Sequence, residues 1–158
     1  SIHLKKLGMS AFLIGFAWIL GVISEIFFLF YAGKIRTYIG VKLMIMVGIL
    51  ATAIRWELIA ITDEIIFLIS IQILHGLTFG VLHPASIQYL DMQSNEENKN
   101  STQSLYSVFT YGIGSTLGVL VSGILINYFS YRVLLHASSI LAMLALLIFI
   151  LPLRNKNF

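Results

Sequence analysis

The sequence predicts an all-α membrane protein of five transmembrane helices, and three observations carry that prediction. Of 158 residues, 58% are hydrophobic and 11% charged, too apolar for a water-soluble domain of this size. The apolar residues fall into five stretches, each long enough to cross a hydrocarbon core of about 30 Å as a helix. Inside those stretches the ionisable side chains are few, chiefly Glu25, Arg55, Glu57, His75 and His83. A charge at mid-membrane costs at least about 2.5 kcal/mol, so its default meaning is an ion or substrate pathway facing other helices.

The predicted helices cover about 10–32, 41–62, 65–90, 104–127 and 132–152. Ser10 can cap the first, and the apolar run from Ala11 to Ala32 is too long for a signal peptide despite Lys5 and Lys6 ahead of it. Gly33 and Gly40 are expected to bracket the turn to the second helix, and Asp63 to cap the third. Pro84 lacks a backbone donor and should bend or loosen the last turns of the third helix. The polar stretch Asp91 to Ser101 reads as a connector rather than a domain. In the fourth helix, Gly112, Gly114, Gly118 and Gly123 superficially resemble a phosphate loop, but no strand precedes them and their spacing is wrong. Small residues three or four apart in an apolar segment are read instead as a helix-packing surface. The chain starts at Ser1 rather than Met, which suggests a truncated or excised chain.

The net charge of +3 is small and dispersed, so no nucleic-acid surface is expected. With no cysteine there are no disulfides, thiolate metal sites or cysteine nucleophiles. Lys34, Arg36, Lys42, Lys99, Arg154 and Lys156 fall on one side of the membrane, against Lys5, Lys6 and Arg132 on the other. Basic loops stay inside, so the 33–40 turn, the 91–101 connector and the C-terminus are expected to be cytoplasmic.

At about 100° per residue, Trp18, Gly21, Glu25, Phe28 and Ala32 share one face of the first helix, and Gly48, Ala51, Thr52, Arg55 and Thr62 one face of the second. Glu25 and Arg55 are therefore expected to point inward. Glu57 lies nearly opposite Arg55 and close to the outer end, where it can snorkel; it is given a structural role, as is His136 on the fifth helix. On the third helix Gln72, His75, Phe79, His83 and Ser86 form a polar-aromatic stripe, read as a pathway lining. The alternative is that each histidine only donates to a neighbour and fixes packing. Counting about 1.5 Å per residue from the outer helix ends orders the groups Arg55, His75, Glu25, His83 from outside to inside, with His75 able to bridge guanidinium and carboxylate directly or through water.

The stretch Gly33-Lys-Ile-Arg-Thr-Tyr-Ile-Gly40-Val-Lys42 resembles the cytoplasmic loop signature of the major facilitator superfamily, with Thr37 where the family often has Asp and Tyr38 where it often has Arg. Gly21-Val-Ile-Ser-Glu25, Arg55-Trp56 and Gln72-Ile-Leu-His75-Gly-Leu-Thr-Phe79-Gly-Val-Leu-His83 are similar, in order and spacing, to the phenylpropionate permease-like branch of proton symporters, cousins of the lactose permease-like group. Gln103-Ser-Leu-Tyr106-Ser and the following glycines continue the match. The resemblance implies helices eight to twelve of a twelve-helix transporter, residues 1–158 being a partial C-terminal six-helix half. Its expected partner is the missing N-terminal half, the opposite wall of a midplane substrate site, so the fragment alone should not transport.

The resemblance further implies that Glu25, Arg55 and His75 fill an acid, an arginine and a histidine role in proton coupling. Thr78 stands where the cousins carry a second acid. A guanidinium approaching a desolvated carboxyl favours loss of its proton, so movement of Arg55 relative to Glu25 would be the coupling step. Trp18, Gln72, Phe79 and His83 are the expected substrate or pathway lining, the aromatic rings among them being able to stack on a solute. The function so read is proton-coupled symport of a small organic solute such as an aromatic acid, nucleoside or sugar, in the bacterial cytoplasmic membrane. The partners are that solute, protons and the lipid bilayer; no cofactor, metal or nucleic acid is expected. A non-transporting scaffold or receptor is the alternative. An intramembrane enzyme is disfavoured because His75 and His83 are two helical turns apart, without the spacing of a metalloprotease site. Orientation is testable because any introduced cysteine is the only one in this chain: Thr37→Cys should label from the cytoplasm and Asp63→Cys from outside, and labelling from the reverse sides would overturn the topology.

Overall fold

In a computed structural model, residues 4, 5 and 7–154 are described, without the side chains of 153 and 154. Lys6 and Lys156, counted above toward orientation, lie outside them. The described residues form an all-α bundle of four continuous helical runs, each apolar and long enough to cross a membrane. The first, Ala11–Ile61, has 51 residues. At about 1.5 Å per residue it would measure about 77 Å, more than twice a bilayer core. It does not run straight, because Gly40 takes φ 73° and ψ 164° inside it. That left-handed backbone, open chiefly to glycine, divides the run into α1 (11–39) and α2 (41–61). The turn thus falls at Gly40 alone. The expected loop from Gly33 onward is helical, since nothing there breaks the helix and Thr37 Oγ1 donates back to the Lys34 carbonyl at 2.7 Å.

The second run is α3 (Ile65–Gln93), the third α4 (Lys99–Tyr128) and the fourth α5 (Tyr131–Arg154). Ser10 caps α1, its Oγ accepting from the Leu13 amide at 3.3 Å. The expected cap by Asp63 on α3 is not formed: Glu64 holds that position without a side-chain bond, and Asp63 instead pairs with Arg132 at the start of α5. The connector between α3 and α4 is shorter than 91–101. Helix continues to Gln93 and resumes at Lys99, held by Lys99 against Asp91 at 3.4 Å and by Gln103 donating to the same carboxylate.

α3 is irregular where Pro84 demands it. From Gly76 to Val81 the helix widens to a π-turn, and a fresh α-helical stretch begins at Leu82. Pro84 therefore sits in a first turn, where no amide needs an in-helix partner.

α3 packs against α1 and α2, and α5 also packs against this pair. Two apolar clusters result. One surrounds the Gly40 turn, with Ala32, Val41, Met44 and Ile45 against Val81 and Ala85. The other surrounds the opposite turn, with Ile59, Ala60, Leu68 and Ile71 against Leu135. In lipid, apolar contact between helices gains little over lipid contact, so close backbone approach decides which faces meet. Here the approach is made by α3: a Cβ at Gly76 would lie 2.6 Å from Phe28, and one at Gly80 would lie 2.7 Å from the Glu25 carbonyl. A Cβ at Gly48 would likewise meet Leu82 at 2.6 Å. The packing surface expected on α4 is not used within this chain. A Cβ added at Gly112, Gly118 or Gly123 would meet nothing, and no residue of α4 is buried.

Replacing Gly80 by leucine should separate α1 from α3 at an overpacking cost of about 1–3 kcal/mol. In detergent, the thermal midpoint of the full-length protein should fall; an unchanged midpoint would show that the contact is not tight.

Candidate functional site

Between the two apolar clusters lies a polar layer, and the irregular backbone of α3 builds it. At Gln72, Ile73, His75 and Gly76 each amide bonds to a carbonyl only three residues back, at 2.9–3.2 Å. In this irregular stretch, side chains add bonds to the backbone carbonyls. The Ser24 hydroxyl, buried on α1, donates to the Ile73 carbonyl at 2.6 Å, and Thr78 Oγ1 to the His75 carbonyl at 2.8 Å. Broken helix persists in hydrocarbon only where such partners exist. Thr78 is thus buried and engaged with backbone.

Two residues further along α3 from the carbonyl that Ser24 engages, His75 Nε2 lies 3.6 Å from Glu25 Oε2. The imidazole fits because position 21 is glycine: a Cβ there would already stand 3.4 Å from His75 Cδ2. Phe79 packs on the same ring with centroids 4.8 Å apart. His75 Nδ1 is buried without a hydrogen-bond partner. In the neutral ring, placing the proton on Nε2 faces it toward the Glu25 carboxylate and leaves no unpaired N–H at Nδ1.

Arg55 meets a different residue of α3. Its Nη2 donates to Gln72 Oε1 at 3.0 Å, and Gln72 Nε2 in turn donates to the Leu68 carbonyl at 3.0 Å. The guanidinium carbon stands 5.2 Å from the Trp56 ring centroid, within cation–π range. A cavity of about 110 Å³ opens beside it, lined among others by Trp18, Trp56, Gln72 and Tyr131. Of the expected bridge from Arg55 through His75 to Glu25, the His75–Glu25 contact is present, while the Arg55 hydrogen bond on α3 goes to Gln72, one turn earlier. The layer consists of two side-by-side pairs.

His83 lies apart from both. Its Nδ1 is 3.3 Å from the Tyr106 hydroxyl and 3.0 Å from that of Tyr111, joining α3 to α4. Near the Thr62 turn, His136 Nδ1 contacts both oxygens of Glu57, at 3.0 and 3.1 Å, tying α5 to α2. Periodicity gives a residue's face but not the neighbour it meets, so neither tyrosine contact nor the Glu57–His136 pair was readable from one helix at a time. The Gly76–Gly80 spacing was a readable signal: two glycines four apart mark a close-packing face.

An apolar bundle whose helices are long enough to cross a bilayer defines the class, an integral membrane protein. A family model described as "MFS_1 like family" matches residues 1–153, and the chain belongs to that family of the major facilitator superfamily. It is 27% identical over 133 residues to the "Probable 3-phenylpropionic acid transporter" of Escherichia coli (strain K12), covering 84% of this chain and 35% of that protein. It is 24% identical over 154 residues to the "Maltose permease" of Geobacillus stearothermophilus, covering 98% and 39%. A third relative is "Major facilitator superfamily domain-containing protein 6-like protein B" of Xenopus laevis, 28% identical over 150 residues and covering 94% and 24%. The chain thus spans between about a quarter and two fifths of these relatives. No solved structure matches it significantly.

Proposed function

We propose that α1 to α5 are helices eight to twelve of a twelve-helix, proton-coupled symporter, and that Glu25 carries the proton with His75 as its partner. The supporting observation is the Glu25–His75 contact at 3.6 Å within the bundle, beside an arginine that donates to Gln72 rather than to the carboxylate. A carboxylate facing Nε2–H is stabilised by it, and a protonated carboxyl no longer needs it, so loading a proton releases the link between α1 and α3. Two helices that part and rejoin with proton occupancy are a means of alternating access. Arg55 acts on this pair through its place on the next turn rather than by direct contact.

The solute in this reading is a small organic molecule, an aromatic acid, nucleoside or sugar, entering from a wall supplied jointly with an N-terminal half. The relatives' names fit a solute carrier and not an enzyme. Trp18, Gln72, Phe79 and His83 are the proposed lining, and the bacterial cytoplasmic membrane with a cytoplasmic C-terminus is the proposed setting. The scaffold alternative draws on the fact that His83 and His136 each sit in contacts joining neighbouring helices.

For the full-length protein in proteoliposomes, Glu25→Gln should abolish accumulation driven by a proton gradient while leaving solute exchange measurable, since the amide mimics the protonated acid without releasing a proton. Normal gradient-driven accumulation would exclude Glu25 as the carrier. Loss of all binding would make it a solute ligand instead.

A further inference from the structure

Arg55 is a cation without an anion. Among the described residues no carboxylate stands within ion-pair distance of it, and the acids on its own and neighbouring helices are taken: Glu25 by His75, Glu57 by His136 and Asp63 by Arg132. Gln72 satisfies one guanidinium donor but brings no charge, and its own amide is used by Leu68. Arg55 Nε is buried with no hydrogen-bond partner. Trp56 stabilises the ring face only. A half-buried guanidinium cannot shed its proton to escape this cost, because arginine stays charged in proteins.

The space for a counter-ion is present. The cavity beside the guanidinium measures about 110 Å³, the room of about three to four waters at a liquid volume of about 30 Å³ each. Its lining combines Arg55 and the Gln72 and Tyr131 polar groups with the apolar Ala17, Ile59 and Leu68, and contains no acid. Such a site repels cations and suits a small monovalent anion held by the guanidinium.

We propose that this cavity is an anion site in which a halide or a one-carbon to two-carbon carboxylate neutralises Arg55. The site is separate from the Glu25–His75 pair, but it shares Trp18 and Gln72 with the proposed solute lining and so rests in part on that reading. By completing the charge of Arg55 it stabilises the junction of α1, α2, α3 and α5, each of which contributes to the lining.

The test uses the full-length protein in detergent at fixed ionic strength, with sodium chloride, bromide or formate replacing sodium gluconate. The thermal midpoint should rise saturably with the small anion, as expected for a ligand bound only by the folded state, and the rise should vanish in Arg55→Met. Crystals grown in bromide should show an anomalous peak beside the Arg55 guanidinium in the wild type, a readout that does not require the variant to fold. A response to halides alone assigns a halide site, and a response to formate as well assigns a carboxylate site. No saturable response in the wild type together with no anomalous peak would overturn the proposal, as would a response that persists unchanged in a folded Arg55→Met.

Discussion

The close approach of α1 and α3 governs the rest of this structure. Gly76 and Gly80 remove side chains where α3 meets Ser24, Glu25 and Phe28, so two backbones lie nearer than any side chain would permit. In a solvent as apolar as the helices themselves, that approach and the Ser24 bond to the Ile73 carbonyl are what select this pairing over others. With the backbones at this distance, Glu25 reaches His75; with a larger residue at either glycine it would not.

The same contact explains why α3 can be irregular. Pro84 removes a helical donor and is accommodated by a π-turn and a restarted helix, while carbonyls of the irregular stretch, at Ile73 and His75, accept side-chain bonds from Ser24 and Thr78. Irregular backbone and polar side chains therefore coincide at one level, between two apolar clusters that seal the Gly40 end and the Thr62 end. A chain able to switch between arrangements needs its unpaired groups to be few and local, and here they are confined to Arg55 Nε and His75 Nδ1 among the described side chains.

Much of the fold was legible because membrane helices obey strong rules. Length and apolarity marked the segments, Ser10 marked a cap that is formed, and Pro84 marked the loosened part of α3. Gly33 and Gly40 looked equivalent in sequence, yet only Gly40 takes the left-handed backbone, since a glycine inside a well-formed apolar helix has no need to leave it. The glycines of the fourth helix drew attention for their number, whereas the two in α3 that matter are distinguished by what lies opposite them. For the site, helical faces correctly grouped Gln72, His75 and Phe79, but which acid or arginine each would meet depended on the offset of α1 and α2 along α3. That offset is set by the glycine contact and by the Gly40 turn, neither of which one-dimensional periodicity encodes.

The most direct test of this account measures the Glu25–His75 contact itself. In the full-length protein labelled with ¹⁵N-histidine and ¹³C-glutamate and reconstituted in lipid, solid-state NMR should detect a dipolar coupling between His75 Nε2 and the Glu25 carboxyl carbon, lost in Glu25→Gln at the same resonance and weakened when Gly80 is enlarged. Absence of that coupling in the wild-type protein across the states that can be trapped would contradict the account, because no other residue pair joins the acid of α1 to the broken segment of α3.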